Sequence, residues 1–331
     1  LFESKPLYSV QHDAEEDDMS IVQINPFTHI ANEIAPTAPR PAPLDGITWL
    51  DVNLPTEGDL SWLQRTFNFH PLAIEDCRTF NQRAKVEMYD GHMFFSFTTC
   101  ARDGDVHPHE MEAFLGPDYL VTVHREPLSQ IDIVRSHTGA NIVVKSHDFL
   151  MYLIIDGLVD AYFPLIDELE DEIDELEDEI LENATQATLQ RIYNLKRQLV
   201  ALRKLAAPMR DVMNALASTR YALIDNTTAL YFRDAFDHLA RIYDLIETSR
   251  DLLGNALDAY LSSVSNKLNE VMKRLTLLTT IFMPISFLVG FGGMNFKYLP
   301  FDEAISLWIM IALLIIVPSA MWIWFRKRKW V

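Results

Sequence analysis

Leu275–Phe296 reads LTLLTTIFMPISFLVGFGGMNF, 22 consecutive positions without Asp, Glu, Lys or Arg. Ala304–Phe325, AISLWIMIALLIIVPSAMWIWF, repeats the pattern over another 22. At about 1.5 Å per helical residue each run reaches roughly 33 Å, enough for a hydrocarbon core of about 30 Å. A wholly soluble protein is excluded. The two runs predict a tight hairpin of membrane-spanning helices joined by Lys297–Glu303. Residues 1–30 lack an apolar core behind basic residues, so no signal peptide is expected, and Leu1 in place of Met implies a trimmed start.

Upstream of the first span the helical pattern continues. From near Thr227 to Met283 there is no proline or loop signal, and Gly254 is the weak point. A helix that long needs a coiled-coil, bundle or membrane setting. Before it, Ile166, Leu169, Ile173, Leu176 and Ile180 are spaced 3, 4, 3, 4, a heptad seam. Eleven acids from Asp167 to Glu182 surround that seam. Such a run repels itself, so a cation, a basic partner or a returning basic helix (Arg191, Lys196, Arg197, Arg203, Lys204) is expected to relieve it. Further upstream come β-like runs, Ile47–Val52, Met93–Thr99 and Tyr119–His124, with helix-like stretches at Asp59–Phe67 and Pro71–Arg78. The expected fold is α+β: a cytoplasmic α/β domain over 1–145, a helical bundle and stalk with acidic coiled-coil helices over 146–271, and a two-span transmembrane hairpin with a basic tail over 272–331.

Charge is unevenly divided. From residue 272 on, seven bases and two acids give +5, so residues 1–271 carry −24 of a total of −19. That acidity argues against nucleic-acid binding and favours cations or a basic partner. Cys77 and Cys100 form no CxxC, so no disulfide framework or cysteine metal cluster is encoded. No Ser/His/Asp order, Gly-rich phosphate loop or paired catalytic acids stands out, and no enzyme is expected. His107-Pro108-His109 reads as solvated histidines in an exposed turn, and His70-Pro71 as a helix start. Lys267, Lys273 and Arg274 precede the first span and Arg326–Lys329 follow the second, which places both termini in the cytoplasm, with the chain in the cell (inner) membrane. The basic tail suits anionic lipid heads of the bilayer.

Two helices cannot enclose a polar path, so transport requires a homo-oligomer around an axis. Asn269, Met272, Leu275, Thr279, Met283, Ser286 and Gly290 recur every three or four residues and form one stripe. It is readable as a pore lining or as a helix-packing face. Pro284 predicts a local bend.

The first span ends in Gly293-Met294-Asn295. This tripeptide, a second span and a basic tail after it, Tyr260–Arg274 before it, and His70-Pro-Leu-Ala-Ile-Glu-Asp76 far upstream together resemble the CorA family of magnesium and cobalt channels, over roughly residues 45–331. Gly292 stands where family members usually carry an aromatic, and Lys297 where many carry an acid, which weakens the expected attraction of external cations. The resemblance implies a pentamer, Mg²⁺ and Co²⁺ as cargo, and Gly293, Met294 and Asn295 as the selectivity motif. It also implies cytoplasmic divalent ions bound between subunits that hold the channel shut. The matching positions are Glu75, Asp76, Asp234 and Asp258, with Asp174 or a neighbour as an addition; ordinary surface ion pairing is the alternative for each. Mg²⁺ prefers oxygen ligands and dehydrates reluctantly, so rings of Asn295 carboxamides and Gly293 carbonyls suit its water shell. Asn269 would form an inner polar ring, and Met272, Leu275 and Met283 would close the path by dewetting. A zinc or other transition-metal transporter on the same scaffold, and a non-conducting membrane-anchored coiled-coil scaffold, remain alternatives.

Overall fold

The computed structural model describes residues 20–80, 82–137, 144–294 and 304–328. The seven strands are β1 (Ile21–Ile24), β2 (Ala31–Glu33), β3 (Trp49–Asn53), β4 (Lys85–Tyr89), β5 (His92–Asp103), β6 (Asp105–Leu115) and β7 (Leu120–His124). They form one sheet in the order β2-β1-β3-β7-β6-β5-β4, with β3 and β7 parallel and the other neighbours antiparallel. Helices α1 (Glu57–Phe67) and α2 (Pro71–Thr79) follow β3. Thr56 caps α1 through a reciprocal capping box with Asp59, and His70 with Pro71 starts α2, its Nδ1 accepting from the Leu72 N–H at 3.3 Å. These two helices close one face of the sheet over Leu60, Leu63, Ile74, Phe94, Phe114 and Val121, where Phe69 stacks on Phe114 at 3.8 Å.

After α3 (Ser129–His137), helix α4 (His147–Asp160) packs against β5, β6 and β7 and buries Leu150, Met151, Ile154, Ile155 and Leu158. The Thr99 hydroxyl donates to the Leu158 carbonyl at 3.0 Å. Four more helices complete the chain: α5 (Tyr162–Asn183), α6 (Gln186–Ser218), α7 (Asn226–Gly292) and α8 (Ala304–Lys327). The expected helix from Thr227 is therefore real and continues through Gly254 and Pro284 to Gly292. All five seam residues of α5 are buried, Ile166 to Ile180.

The chain divides into two compact units, Leu1–Glu175 with Arg191–Leu253, and Leu176–Gln190 with Gly254–Val331. Within the first, Arg102 of β5 is 13% exposed and holds Glu168 at 3.2 Å and Glu172 at 2.6 Å on α5, while its Nε donates to Gln198 of α6 at 2.9 Å. Arg191 of α6 reaches Glu175 at 3.7 Å, and Ser249 of α7 donates to Glu170 at 3.0 Å. The acidic helix is thus relieved both by an arginine from the sheet and by the returning helix. Within the second unit, Lys267 of α7 donates to Asn183 Oδ1 at 2.6 Å and to the Ala184 carbonyl at 3.1 Å.

One expectation is corrected. His107, Pro108 and His109 lie inside β6, paired with Ala101, Cys100 and Thr99, rather than in a turn. The turn is Gly104, at φ +76°, a conformation that favours glycine. Pro108 and the polar half of β6 hide its pairing from a pattern search, since that end of the hairpin is solvent-facing and need not alternate.

Candidate ion pathway and cation-binding acids

Among the described residues three helical runs are long and apolar enough to cross a membrane: His147–Asn183, Asn226–Gly292 and Trp308–Lys327. The first is disqualified by packing, since half of its apolar window is buried, whereas the windows of the other two are 0% and 6% buried. Apolar helices left this exposed among the described residues require lipid or other subunits.

Within the second unit the two faces of α7 differ. Leu277, Ile281, Pro284, Ile285, Leu288 and Gly292 are half-buried and recur at helical spacing. A Cβ added to Gly292 would collide with the end of the Met310 side chain on α8. The contact marks where α7 and α8 approach each other, although the flexible Met310 side chain could move aside for a larger residue. The sequence-derived stripe lies on the other side: Asn269, Met272, Leu275, Thr279, Met283, Ser286 and Gly290 are all exposed. Around Gly290 nothing lies within reach of an added Cβ. The Thr279 hydroxyl donates back to the Leu275 carbonyl at 2.9 Å, which satisfies a polar group on an otherwise weakly polar face. Pro284 has no N–H for the Thr280 carbonyl, while the Thr280 hydroxyl takes the Thr276 carbonyl at 2.7 Å. At the end of the helix the Gly293 N–H donates to the Val289 carbonyl at 3.0 Å and Met294 to Phe291 at 3.2 Å. Asn295 and the loop Lys297–Glu303 lie outside the described residues.

The candidate sensor acids fall at separate places. Glu75 and Asp76 are on α2; Glu75 is exposed, and Asp76 is paired with Lys85 of β4 at 2.7 Å. Lys85 also reaches Glu87 at 3.2 Å. Asp234 is exposed on α7, 4.0 Å from His238 one turn on. Asp258 is exposed further along α7, and Asp174 is exposed on α5. Among the described residues no group of three or more His, Cys, Asp or Glu converges on a metal position within one chain.

Sequence reasoning missed two acids beside Asp234. Asp160 of α4 lies 3.6 Å from His238 Nδ1. Asp156, one turn earlier, has a buried Oδ1 with no hydrogen-bond partner, and burial, then the Asp160 charge, pushes its carboxyl upward. The available signal was an i, i+4 pair of acids in the apolar helix HDFLMYLIIDGLVD. Oxygen donors of this kind suit a hard divalent cation.

Two uncovered apolar helices at the C-terminal end of a folded α/β and helical domain define an integral membrane protein. The chain belongs to the CorA-like Mg²⁺ transporter family, whose sequence model matches residues 45–328. Members of this family are channels and transporters, not enzymes. Over 298 residues the chain is 39% identical to the cobalt/magnesium transport protein CorA of Thermotoga maritima, covering 85% of this chain and 84% of that protein. It is 25% identical over 309 residues to the zinc transport protein ZntB of Yersinia enterocolitica, covering 92% of each. The complete structure of the CorA magnesium transporter from Methanocaldococcus jannaschii has the same fold, with a TM-score of 0.82 at 22% identity over 96% of this chain and 100% of that one.

Proposed function

We propose that this chain is one subunit of a homopentameric channel that carries Mg²⁺, and Co²⁺ with it, into the cytoplasm, and that intracellular Mg²⁺ bound between subunits holds it shut. The observation that carries the reading is the two-sidedness of α7. One face packs toward α8, and the opposite, weakly polar face stays open and leads to Gly293-Met294-Asn295. Lipid alone would cover that face, but a stripe with Asn269, Thr279, Ser286 and Gly290 suits a central axis better than hydrocarbon. Asn295 and Gly293 would hold the hydrated ion at the outer mouth, and Met272, Leu275 and Met283 would form the dewetting constriction. Both termini lie in the cytoplasm of a cell bounded by this inner membrane. The sensor sites are completed between neighbouring subunits by Glu75, Asp76, Asp234 and Asp258.

The test is flux into liposomes carrying the purified protein. Mg²⁺ and Co²⁺ uptake that falls when internal Mg²⁺ is raised is the expected result. Zn²⁺ uptake without Mg²⁺ uptake would favour the second reading, a zinc transporter, which the similarity to ZntB supports. No divalent uptake would leave a membrane-anchored scaffold.

A further inference from the structure

A cleft of about 620 Å³ opens in the first compact unit, and none of the candidate cation-binding acids lines it. Its walls come from the segment entering β4 (Gln82, Arg83), from β6 (Pro108, Glu110), from α6 (Arg203, Lys204) and from α7 (Tyr243). Its floor is apolar, made by Ala84, Val200, Leu205, Ala207 and Pro208. Its lining carries three bases, Arg83, Arg203 and Lys204, against one acid, Glu110, on a part of the chain that is otherwise strongly acidic.

The cations differ in how far they are already committed. Arg203 is held by Glu247 at 2.8 Å and by the Tyr243 hydroxyl at 3.1 and 3.0 Å, so its guanidinium is fixed in place. Arg210 lies over the Tyr243 ring at 4.6 Å and completes the same cluster. Arg83 is only loosely engaged, with Asp211 at 3.5 Å and 73% of its side chain exposed. Lys204 is exposed and has no charge partner among the described residues. The one acid of the lining, Glu110, accepts from the Gln82 N–H at 3.1 Å.

We infer that this cleft binds a phosphorylated small organic molecule, with Arg83 and Lys204 on the phosphate, Arg203 as a fixed guanidinium beside it, and the organic body on the floor of Val200, Leu205 and Pro208. Fixed arginine forks and a mobile lysine are the donors that recognise phosphate. A volume of this size with an apolar floor exceeds what a lone phosphate fills and matches small-molecule sites in general.

Calorimetric titration of the full-length protein in detergent, at constant Mg²⁺, tests this with adenosine monophosphate, ribose 5-phosphate and inorganic phosphate as probes. At least one organic phosphate should bind saturably and more tightly than inorganic phosphate. Lys204→Glu and Arg83→Glu should each weaken it by about tenfold or more, the scale of one lost charge-assisted contact. Lys196→Glu, on the same helix but outside the cleft, should leave binding unchanged, and size-exclusion should show all three variants assembled. Failure of both organic phosphates to bind overturns the proposal. So does equal affinity for inorganic phosphate, or equal weakening by Lys196→Glu. Cation flux is a separate readout, so this inference can fail while the transport reading stands.

Discussion

Glu112 sits in β6 with 0% exposure, between Ser96 of β5 and Val123 of β7. The Ser96 hydroxyl donates to its Oε1 at 3.2 Å, and Oε2 has no partner. Burial raises its carboxyl from an ordinary 4.5 to about 8, with Glu110 and Asp76 adding to the shift and Ser96 and Lys85 opposing it. The folded state therefore keeps a proton that the unfolded chain has lost. Its stabilising share is complete below about pH 4.5 and is lost as pH rises through 8, at up to about 1.4 kcal/mol per pH unit. His124 acts with the same sign. Burial lowers its value, but the hydrogen bond and charge of Asp51 at 3.2 Å outweigh that and raise it, so its share fades as pH climbs past the folded value. Glu112→Gln keeps the shape of the protonated acid and removes its titration. Thermal unfolding of the purified protein between pH 5 and 8.5 should show the wild type losing stability with pH, and the variant losing less, with a gain on the order of 2–3 kcal/mol near neutrality. A second residue-scale outcome concerns Asn295. Asn295→Ala removes the carboxamide proposed to hold the hydrated ion, and Mg²⁺ uptake in liposomes should fall at least about tenfold while assembly is unchanged, the scale of one lost polar contact to the ion.

At the scale of elements, the spans and the long helix were readable because membranes and bundles impose simple rules. A helix with 22 successive uncharged residues has little to gain from water and much from a bilayer, and the period of the α5 seam survives any detail of packing. The sheet was only partly readable. β3, β5 and β7 carry dense β-branched and aromatic residues, but β4 is an edge strand of mixed exposure, β1 has four residues and β2 three. Their identity comes from partners remote in sequence, as in the pairing of β1 with β3. The acids Asp156 and Asp160 were passed over for a related reason, since they gain meaning only when α4 meets the Asp234–His238 turn of α7. The stripe on α7 was legible as a face but not as an open face. That distinction came from Gly292 meeting α8 while Gly290 meets nothing. It carries a prediction for the element as a whole. Met283→Ser and Leu275→Ser replace residues 67% and 56% exposed on that face with small polar groups. If the face lines a dewetted constriction, either change should raise Mg²⁺ leak at high internal Mg²⁺, read as uptake that no longer closes. The lipid-side exchange Phe282→Leu, on a residue 57% exposed outside the stripe, should leave leak at the wild-type level.

For the whole molecule the issue is how a domain with −24 of charge stays assembled. Acids brought together around an axis repel, and a divalent cation that bridges them favours the closed assembly in proportion to its differential binding. One helix, α7, carries Asp234, Asp258 and then the proposed pore stripe, so under the proposed function a change of packing at the acids would be a change in the same element that would line the path. Saturating Mg²⁺ at a hundredfold excess over Kd would stabilise the closed form by about 2.7 kcal/mol per site. Asp234→Asn and Asp258→Asn each delete a proposed ligand and one negative charge. Among the described residues neither carboxylate has a short ion pair, Asp234 lying 4.0 Å from His238, so folding of the protomer should be little affected. The expected outcome is a wild-type melting midpoint without Mg²⁺, a smaller rise when Mg²⁺ is added, less protection from protease, and uptake that persists at internal Mg²⁺ levels that silence the wild type. The order of Mg²⁺ and Co²⁺ preference should not move, because Asn295 and the stripe are untouched. Asp76→Asn provides the contrast. Its carboxylate already holds Lys85 at 2.7 Å, so this variant should also lower the midpoint without Mg²⁺, which separates an acid that holds the protomer together from acids that act between protomers.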